Sequence, residues 1–305
     1  MADPLSARAV PGGLVCPVVT PVSPEGKLEA EVFARHLDSL VPHVEGVFVL
    51  GSSGEHPWLP DEVEREVVVL AGEQLPGRVT LYVGAGQADL DGTLRAFERF
   101  ADSAADYLVI TPPTYFPLSD TELVDGLLTL ADRAPRPVLL YNIPQFAGNA
   151  ISPEVLREVA PHPAVVGIKD SSGDLTRFAG QLRARPPGFR VLQGRDHLIA
   201  PSLRLGADGA VAGLANIAAP LLRELVAART DDRRLDALQA EVDELAGIFS
   251  YGGLVAALKA GLELRGLPVG SPRRPARPAS SAARERIAAM LQDFDRRGHL
   301  IPEFA

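Results

Sequence analysis

The sequence predicts a (β/α)8 barrel followed by a C-terminal helical domain. Eight short apolar segments recur along the chain, and amphipathic helical patterns lie between them. The segments are apolar at consecutive positions, which is typical of parallel strands buried on both faces. Strand and helix alternating eight times indicates a barrel. A doubly wound open sheet is the alternative, because alternation alone does not establish closure.

The eight predicted strands are rich in Val, Ile, Leu and aromatic residues, as buried strands are. Most of them end in glycine or in polar residues, which mark the start of a loop. They span residues 13–20, 46–50, 79–84, 106–110, 137–142, 164–169, 189–194 and 208–213.

The stretches between the strands carry helix signals. In "LEAEVFARHLDSLV" the apolar residues Phe33, Leu37 and Leu40 recur at helical spacing. In "SPEVLREVA", Ser152 is a predicted N-cap and Pro153 occupies the first helical position. These signals place a helix after the first and the fifth strand, as a βα rhythm requires.

After about residue 220 the strand pattern stops and only helical patterns follow. We therefore predict two domains, a catalytic barrel over residues 1–225 and a helical domain over residues 226–305. The predicted helices of this part span 219–229, 233–249, 252–265 and 281–296, and a Pro/Arg-rich connector at 270–280 precedes the last one.

Composition excludes several classes of function. The net charge of −9 and the pI near 5.2 argue against a nucleic-acid partner, which needs a basic face. No apolar run reaches the roughly 18–20 residues of a membrane span, and the N-terminus lacks a secretory pattern. Cys16 stands alone and is predicted to be a core residue. We expect a cytoplasmic protein without a membrane partner.

Lys169 is the most unusual residue in the sequence. Of the 30 basic residues only Lys27, Lys169 and Lys259 are lysines, and Lys169 ends the apolar segment "AVVGIK". A solvated lysine paired with Asp170 is one interpretation. However, arginine would serve an ion pair equally well, whereas only lysine can lose its proton and attack a carbonyl. Lys27, in a turn, and Lys259, in a helical pattern, lack such a setting.

Barrel active sites form at the C-terminal ends of the strands, where several polar groups of this chain are predicted to meet Lys169. In "GSSGE", Gly51 and the two following serines suit a bound carboxylate. Tyr141 is a candidate proton relay, or an aromatic cap of the core. Asp196 is a candidate contact for a substrate hydroxyl, or a helix cap. Neither a dinucleotide fingerprint nor a metal-ligand spacing is present.

Three motifs in order, "GSSGE", "YNIP" and "GIKD", resemble those of the dihydrodipicolinate synthase/N-acetylneuraminate lyase family. The resemblance runs over nearly the whole chain. It implies a barrel with a C-terminal helical domain, a homotetramer or homodimer, and a class I lyase that binds pyruvate or another 2-oxo acid on a lysine. It implies no metal and no organic cofactor.

The resemblance also implies a role for each matching position. Lys169 would be the Schiff-base lysine, and Tyr141 would transfer protons together with the hydroxyl of Ser52. Glu55 would support the loop. The positions that would contact the substrate are Gly51, Ser52, Ser53, Gly194, Asp196 and Val211.

The sequence departs from the synthase pattern at two places. Synthases carry an arginine two residues after the proline of "YNxP", where it grips the carboxylate of the aldehyde substrate, and this chain has Phe146 there. Synthases also carry a tyrosine pair where this chain has Pro113 and Thr114. Tyr115 takes the place of the second tyrosine, which reaches the neighbouring subunit, only with a one-residue shift.

The sequence therefore supports a Schiff-base aldolase or dehydratase acting on pyruvate or a sugar-derived 2-oxo acid. The alternative within the family is 4-hydroxy-tetrahydrodipicolinate synthase of lysine biosynthesis, which Phe146 disfavours. The alternative from another class is a catalytically reduced, 2-oxo-acid-binding or regulatory barrel, suggested by the missing tyrosine pair.

Overall fold

The computed structural model describes residues 12–304 and contains a closed barrel of eight parallel strands. Neighbours in the barrel follow chain order, and the first strand pairs with the eighth, which excludes the open-sheet alternative. The strands are β1 (Gly13–Pro17), β2 (Gly46–Val49), β3 (Thr80–Gly84), β4 (Tyr107–Ile110), β5 (Val138–Asn142), β6 (Val165–Asp170), β7 (Arg190–Gln193) and β8 (Gly209–Val211).

Helices surround the barrel and continue beyond it. They are α1 (Ala30–Leu40), α2 (Asp61–Gln74), α3 (Leu90–Phe100), α4 (Asp120–Arg133), α5 (Pro144–Ala147), α6 (Pro153–Val159), α7 (Leu175–Ala184), α8 (Ile199–Arg204), α9 (Ala215–Ala227), α10 (Asp232–Ala246), α11 (Leu254–Leu264) and α12 (Ser281–Arg296). Short 3-10 turns occur at His56–Trp58, Asp196–Leu198 and Gly247–Tyr251. Between residues 12 and 304 no single helix meets the length and apolarity of a membrane span, and one pair bent by 104° meets them jointly.

Two apolar layers explain why the strands are apolar at consecutive positions. One layer lies between the strands and the helices, and the other fills the inside of the barrel. Inside, the rings of Tyr82 and Tyr107 stack with centroids 5.2 Å apart. Because the interior is packed, the strand ends and their loops are left to form the site.

Several strands are shorter than predicted. β1 ends at Pro17 instead of residue 20, and β8 ends at Val211 instead of residue 213. The residues beyond these ends stay buried. The amides of Val18 and Ala212 still donate to neighbouring strands, whereas Val19 N–H donates to the Asn216 side chain at 3.0 Å. An apolar segment indicates that its residues are buried, but it does not show at which residue the strand ends.

The predicted cap at Ser152 is confirmed. Its hydroxyl accepts a hydrogen bond from the amide of Val155 at 3.1 Å, and Pro153 opens α6. The structure shows a capping box at Ser119, at the start of α4. The Ser119 hydroxyl accepts a hydrogen bond from the amide of Glu122, and the Ser119 amide donates to the Glu122 carboxylate. Such caps satisfy amides that a helix start leaves unpaired.

Helix α9 begins earlier than predicted and crosses the predicted domain boundary. It starts at Ala215 rather than 219, and Ala218 has non-helical angles just before Pro220. Residues 225 and 226 both lie within this helix. The division into a barrel of residues 1–225 and a helical domain of residues 226–305 stays a prediction.

Candidate active site

Lys169 and Tyr141 lie side by side at the C-terminal ends of two paired strands. The register of β5 and β6 places Tyr141 opposite Lys169, and both side chains are buried. The Lys169 amine lies 3.9 Å from the centroid of the Tyr141 ring and 5.0 Å from that of Phe48. A lysine amine held in this way in a barrel mouth is positioned to attack a carbonyl compound.

Asp170 is not the partner of Lys169, so the ion-pair interpretation of this lysine is wrong. The Asp170 carboxylate accepts hydrogen bonds from the side chains of Asn142, Gln181 and Ser172. Within residues 12–304, Lys169 forms no ion pair with any carboxylate; its described contacts are the aromatic rings and the hydrogen bond to Tyr141. Asp170 therefore anchors the end of β6 and leaves the amine available.

Tyr141 and Ser52 form a hydrogen-bonded pair beside the lysine. Their hydroxyl oxygens are 3.3 Å apart, and either can donate. Burial raises the pKa of Tyr141, but the charge of Lys169 and hydrogen bonds from Ser52, Lys169 and Ser171 outweigh it, so that the pKa lies below its ordinary value of 10. A pKa closer to neutral pH lets the phenol alternate between its two protonation states, as a relay requires.

The loop "GSSGE" is a tight turn after β2 with a demanding backbone. Leu50, just before the loop, and Glu55, its last residue, both have positive φ angles, of 56° and 61°. A side chain at Gly51 would meet the Phe48 ring at 2.9 Å, so glycine is required there. The Thr20 hydroxyl donates to the carbonyl of Gly54 at 2.8 Å. The loop thus presents Ser52 and Ser53 in a defined position.

Lys259, which the sequence places in an unremarkable helix, is buried against this loop. Its amine lies 2.7 Å from Glu55 Oε1, and both side chains are 2% exposed. The amide of Arg273 donates to the other Glu55 oxygen at 2.6 Å. Burial lowers the pKa of Lys259, and the Glu55 charge opposes this shift. Glu55, the expected support of the loop, is therefore paired with a lysine of α11.

A cavity of about 250 Å³, the lysine cavity, opens beside Lys169. Its walls bring together residues from the ends of β1, β2, β5, β6, β7 and β8 with α10 and α11. The sequence-predicted residues that line it are Ser52, Ser53, Tyr141, Phe146, Lys169, Gly194, Asp196 and Val211.

A second cavity of about 280 Å³, the histidine cavity, shares Ser52, Tyr141 and Phe146 with the first. Gly51 lines this second cavity. His56, for which the sequence shows no metal-ligand spacing, also lines it. Its Nδ1 lies 2.9 Å from Glu64 Oε1. The hydrogen-bonded pair Tyr141 and Ser52 therefore lies between two cavities.

Tyr115 is not brought into the site of its own chain. It is 86% exposed, has a φ angle of 80°, lines neither cavity and packs edge-on against Phe116. Thr114, one residue earlier, does line the histidine cavity. Tyr115 therefore does not reach the site of its own chain, because the strained turn at this residue directs its ring outward, and its expected role toward a neighbouring subunit stays a prediction.

Gly194 is required by close packing around the lysine. A Cβ added there would collide with the hydroxyl of Ser171 and lie 3.0 Å from the Cε of Lys169. We expect Gly194→Ala to slow any reaction of the Lys169 amine by about tenfold or more, because a misplacement of about 1 Å is costly. Gly247→Ala is the control, since its new Cβ has its nearest neighbour at 3.6 Å. Equal rates in the two variants would contradict the expectation.

Asp196 lines the cavity with a carboxyl group that resists ionisation. It is the first residue, not the N-cap, of the 3-10 turn Asp196–Leu198, and it accepts a hydrogen bond at 3.2 Å from the amide of Leu214, the residue that precedes α9. Burial raises its pKa from 3.8 to about 6, against the opposing effects of the Leu214 amide and the Lys169 charge.

The raised pKa predicts a pH-dependent stability. Between about pH 4 and pH 6 the folded protein holds this proton and the unfolded chain does not, so stability falls as pH rises through that window. We expect Asp196→Asn to be more stable than the parent at pH 8, by at most about 3 kcal/mol, and equal to it near pH 4. Urea unfolding at both pH values measures the difference. A difference that does not change with pH would contradict this assignment.

Arg195 and Gln145 are among the residues of the lysine cavity that the sequence motifs did not predict. Both donate to the carbonyl of Ser171, at 2.9 and 3.1 Å. Each is adjacent in sequence to a residue that the motifs singled out, Gly194 and Phe146. Their position beside these residues is visible in the sequence, but it does not show which neighbours face the cavity.

Comparison with known proteins gives a consistent result. The model of the dihydrodipicolinate synthetase family matches residues 10–294. An uncharacterized DapA-like lyase of Halobacterium salinarum is 34% identical, over 96% of this chain and 95% of that protein. The 4-hydroxy-tetrahydrodipicolinate synthase of an Exiguobacterium species is 30% identical, over 93% of this chain and 98% of that protein.

Solved structures share the same architecture. The E. coli K12 prophage protein YagE, a member of the dihydrodipicolinic acid synthase family solved in complex with pyruvate, superimposes with a TM-score of 0.88 at 25% identity, over 93% of this chain and 98% of that one. Dihydrodipicolinate synthase from Bacteroides thetaiotaomicron superimposes with a TM-score of 0.89 at 28% identity, over 94% of this chain and all of that one.

Proposed function

Because the chain belongs to the dihydrodipicolinate synthetase family and is a class I lyase of that family, we propose that Lys169 is the residue that forms a Schiff base with pyruvate or a related 2-oxo acid. The observation that carries this proposal is the position of the Lys169 amine, buried beside Tyr141 and without a carboxylate partner in residues 12–304. The pyruvate in the related E. coli structure supports the substrate class.

The proposed reaction begins at the C2 carbonyl. The Lys169 amine attacks this carbon, and the carboxylate of the substrate binds at Ser53 and the loop that carries it. Tyr141, hydrogen-bonded to Ser52, relays to the carbonyl oxygen the two protons that the Lys169 ammonium group loses, one before and one after the attack, so that the oxygen leaves as water and the iminium ion remains. The iminium then accepts the electron pair of the C3–C4 bond, which breaks in an aldolase, or of a C3–H bond, after which the enamine of a dehydratase expels the C4 hydroxyl group as water.

Phe146 bears on the second substrate. Its side chain is 67% exposed and lines both cavities, so an apolar ring occupies the place where the synthases carry an arginine. A phenyl ring offers no hydrogen bond to a carboxylate. We therefore propose an aldolase or dehydratase acting on a sugar-derived 2-oxo acid rather than 4-hydroxy-tetrahydrodipicolinate synthase.

Assembly and location are also proposals. We expect a homotetramer or homodimer, as in the family that the sequence resembles, and the exposed pair Tyr115 and Phe116 supports a contact with a second copy. Light scattering on the purified protein measures the mass, and a monomer would contradict this. A cytoplasmic location stays a prediction from the sequence.

The test of the proposal is covalent trapping. Incubation of the protein with pyruvate and borohydride is expected to give a reduced adduct, which peptide mass spectrometry assigns to Lys169. In parallel, the methyl protons of pyruvate are expected to exchange with deuterium, because the iminium acidifies C3. The absence of any adduct with pyruvate and with other 2-oxo acids would refute the proposal.

Further outcomes separate the alternatives. An adduct without proton exchange would identify a catalytically reduced binding barrel. Appreciable turnover of pyruvate with aspartate semialdehyde would identify the synthase and refute the argument from Phe146.

A further inference from the structure

Arg195 stands at the wall of the lysine cavity without an acidic partner. Its Nε donates to the carbonyl of Ser171 at 2.9 Å, and its backbone amide donates to Gln193 Oε1 at 2.8 Å. No ion pair joins its guanidinium to a carboxylate of residues 12–304. Arg190, at the start of β7, and Arg185 both pair with Asp208, by contrast.

The guanidinium is held in a fixed place by the bond that it makes. Gln145 donates to the same Ser171 carbonyl at 3.1 Å, so that the Gln145 and Arg195 side chains meet at one backbone atom two residues beyond Lys169. Because the Arg195 Nε–H is engaged there, the four N–H groups of its two terminal nitrogens are left for another acceptor. Such a pair of nitrogens suits the two oxygens of a carboxylate.

The neighbouring carboxyl group does not neutralise this charge. Asp196 is engaged by the Leu214 amide and forms no ion pair with Arg195. Phe146, which lines the same cavity, offers only apolar surface. The lysine cavity therefore has the reactive amine of Lys169 on one side and an unpaired cation at its wall.

We propose that Arg195, together with Gln145, forms a carboxylate-binding subsite for the far end of a 2-oxo dicarboxylate. The proposal rests on the Schiff-base function, since the near end of the same molecule would be bound to Lys169. A terminal phosphate is a poorer fit, because Arg195 is the one guanidinium in the described lining of this cavity and a dianion calls for more donors.

The experiment compares two six-carbon 2-oxo acids that differ only at the far end. 2-Oxoadipate, which ends in a carboxylate, and 2-oxohexanoate, which ends in a methyl group, each compete with pyruvate for reductive trapping on the full-length protein. The two adducts are distinguished by mass, and the ratio of their amounts gives the relative occupancy. We expect the parent protein to favour 2-oxoadipate by about 10- to 100-fold, as a bond between charged groups does.

Variants assign that preference to a residue. Arg195→Gln is expected to abolish the preference while pyruvate alone is still trapped, and Arg195→Lys is expected to keep part of it as a point charge. Arg183→Gln, which removes an exposed charge on α7, is the control and is expected to leave the preference unchanged.

Each result bears on one claim. A preference that survives in Arg195→Gln, or a parent protein without any preference, would overturn the subsite. Tighter competition by a 2-oxo acid of the same length that ends in a phosphate would overturn its assignment to a carboxylate. A parent protein that is not trapped by pyruvate at all would refute the Schiff-base function itself, which is a separate failure.

Discussion

Replacing Lys169 by arginine is expected to abolish the covalent adduct with pyruvate and to slow deuterium exchange at the pyruvate methyl group by about 10³-fold or more. Arginine keeps the positive charge and much of the volume, but its guanidinium does not lose a proton and forms no imine. Loss of a nucleophile typically removes most of the catalytic effect of a site that acts as a unit. Mass spectrometry and proton NMR measure the two effects.

The matched control is Lys27→Arg. Lys27 is exposed in a turn near the N-terminal end of the described chain, and the same chemical change is expected to have no effect there. Thermal unfolding of both variants shows whether the fold is retained. Unchanged exchange in Lys169→Arg, with the fold intact, would remove this residue from the mechanism.

Replacing Lys259 by methionine is expected to cost about 3–5 kcal/mol of stability, because it leaves Glu55 buried without its cation. The Lys259–Glu55 pair spans 2.7 Å with both side chains 2% exposed, so water cannot take the place of the lost partner. Deuterium exchange is expected to slow as well, because Glu55 closes the loop that carries Ser52 and Ser53. Urea unfolding measures the first effect.

Two further variants test the cause. The double variant Glu55→Gln with Lys259→Met is expected to recover part of the lost stability, because it removes the unpaired charge. Arg78→Met breaks a pair with Asp38 of 2.6 Å in which both side chains are about half exposed, and is expected to cost about 1 kcal/mol or less. If Lys259→Met cost no more than Arg78→Met, the buried pair would have no special role.

The strand rhythm could be predicted from the sequence because it is a local property. Buried parallel strands leave consecutive apolar residues, and helix starts leave caps such as Ser152, so both are visible without knowing the neighbours. The closure of the barrel could not be predicted in the same way. It depends on the pairing of β1 with β8, which lie at opposite ends of the barrel sequence.

The residues of the candidate site could also be predicted only in part. Lys169, Tyr141 and Ser52 stand out in the sequence, because their residue types carry chemistry and their motifs mark strand ends. The sequence does not show in which direction a side chain points. Tyr115 points outward from a turn with positive φ, whereas Arg195 and Gln145 converge on one carbonyl that neither adjoins in sequence.

The sequence by itself determined the barrel class and the lysine that we propose as the nucleophile, since both follow from residue types and their order. The tertiary structure alone decided what surrounds that lysine: Asp170 engaged by Asn142 and Gln181, and Lys259 paired with Glu55. The physical reason is that burying an unpaired charge costs free energy, so the buried carboxylates of Asp170 and Glu55 are held by hydrogen-bonding or ionic partners. Such partners come from distant parts of the chain, as for Arg273, whose amide binds Glu55 from 218 residues away.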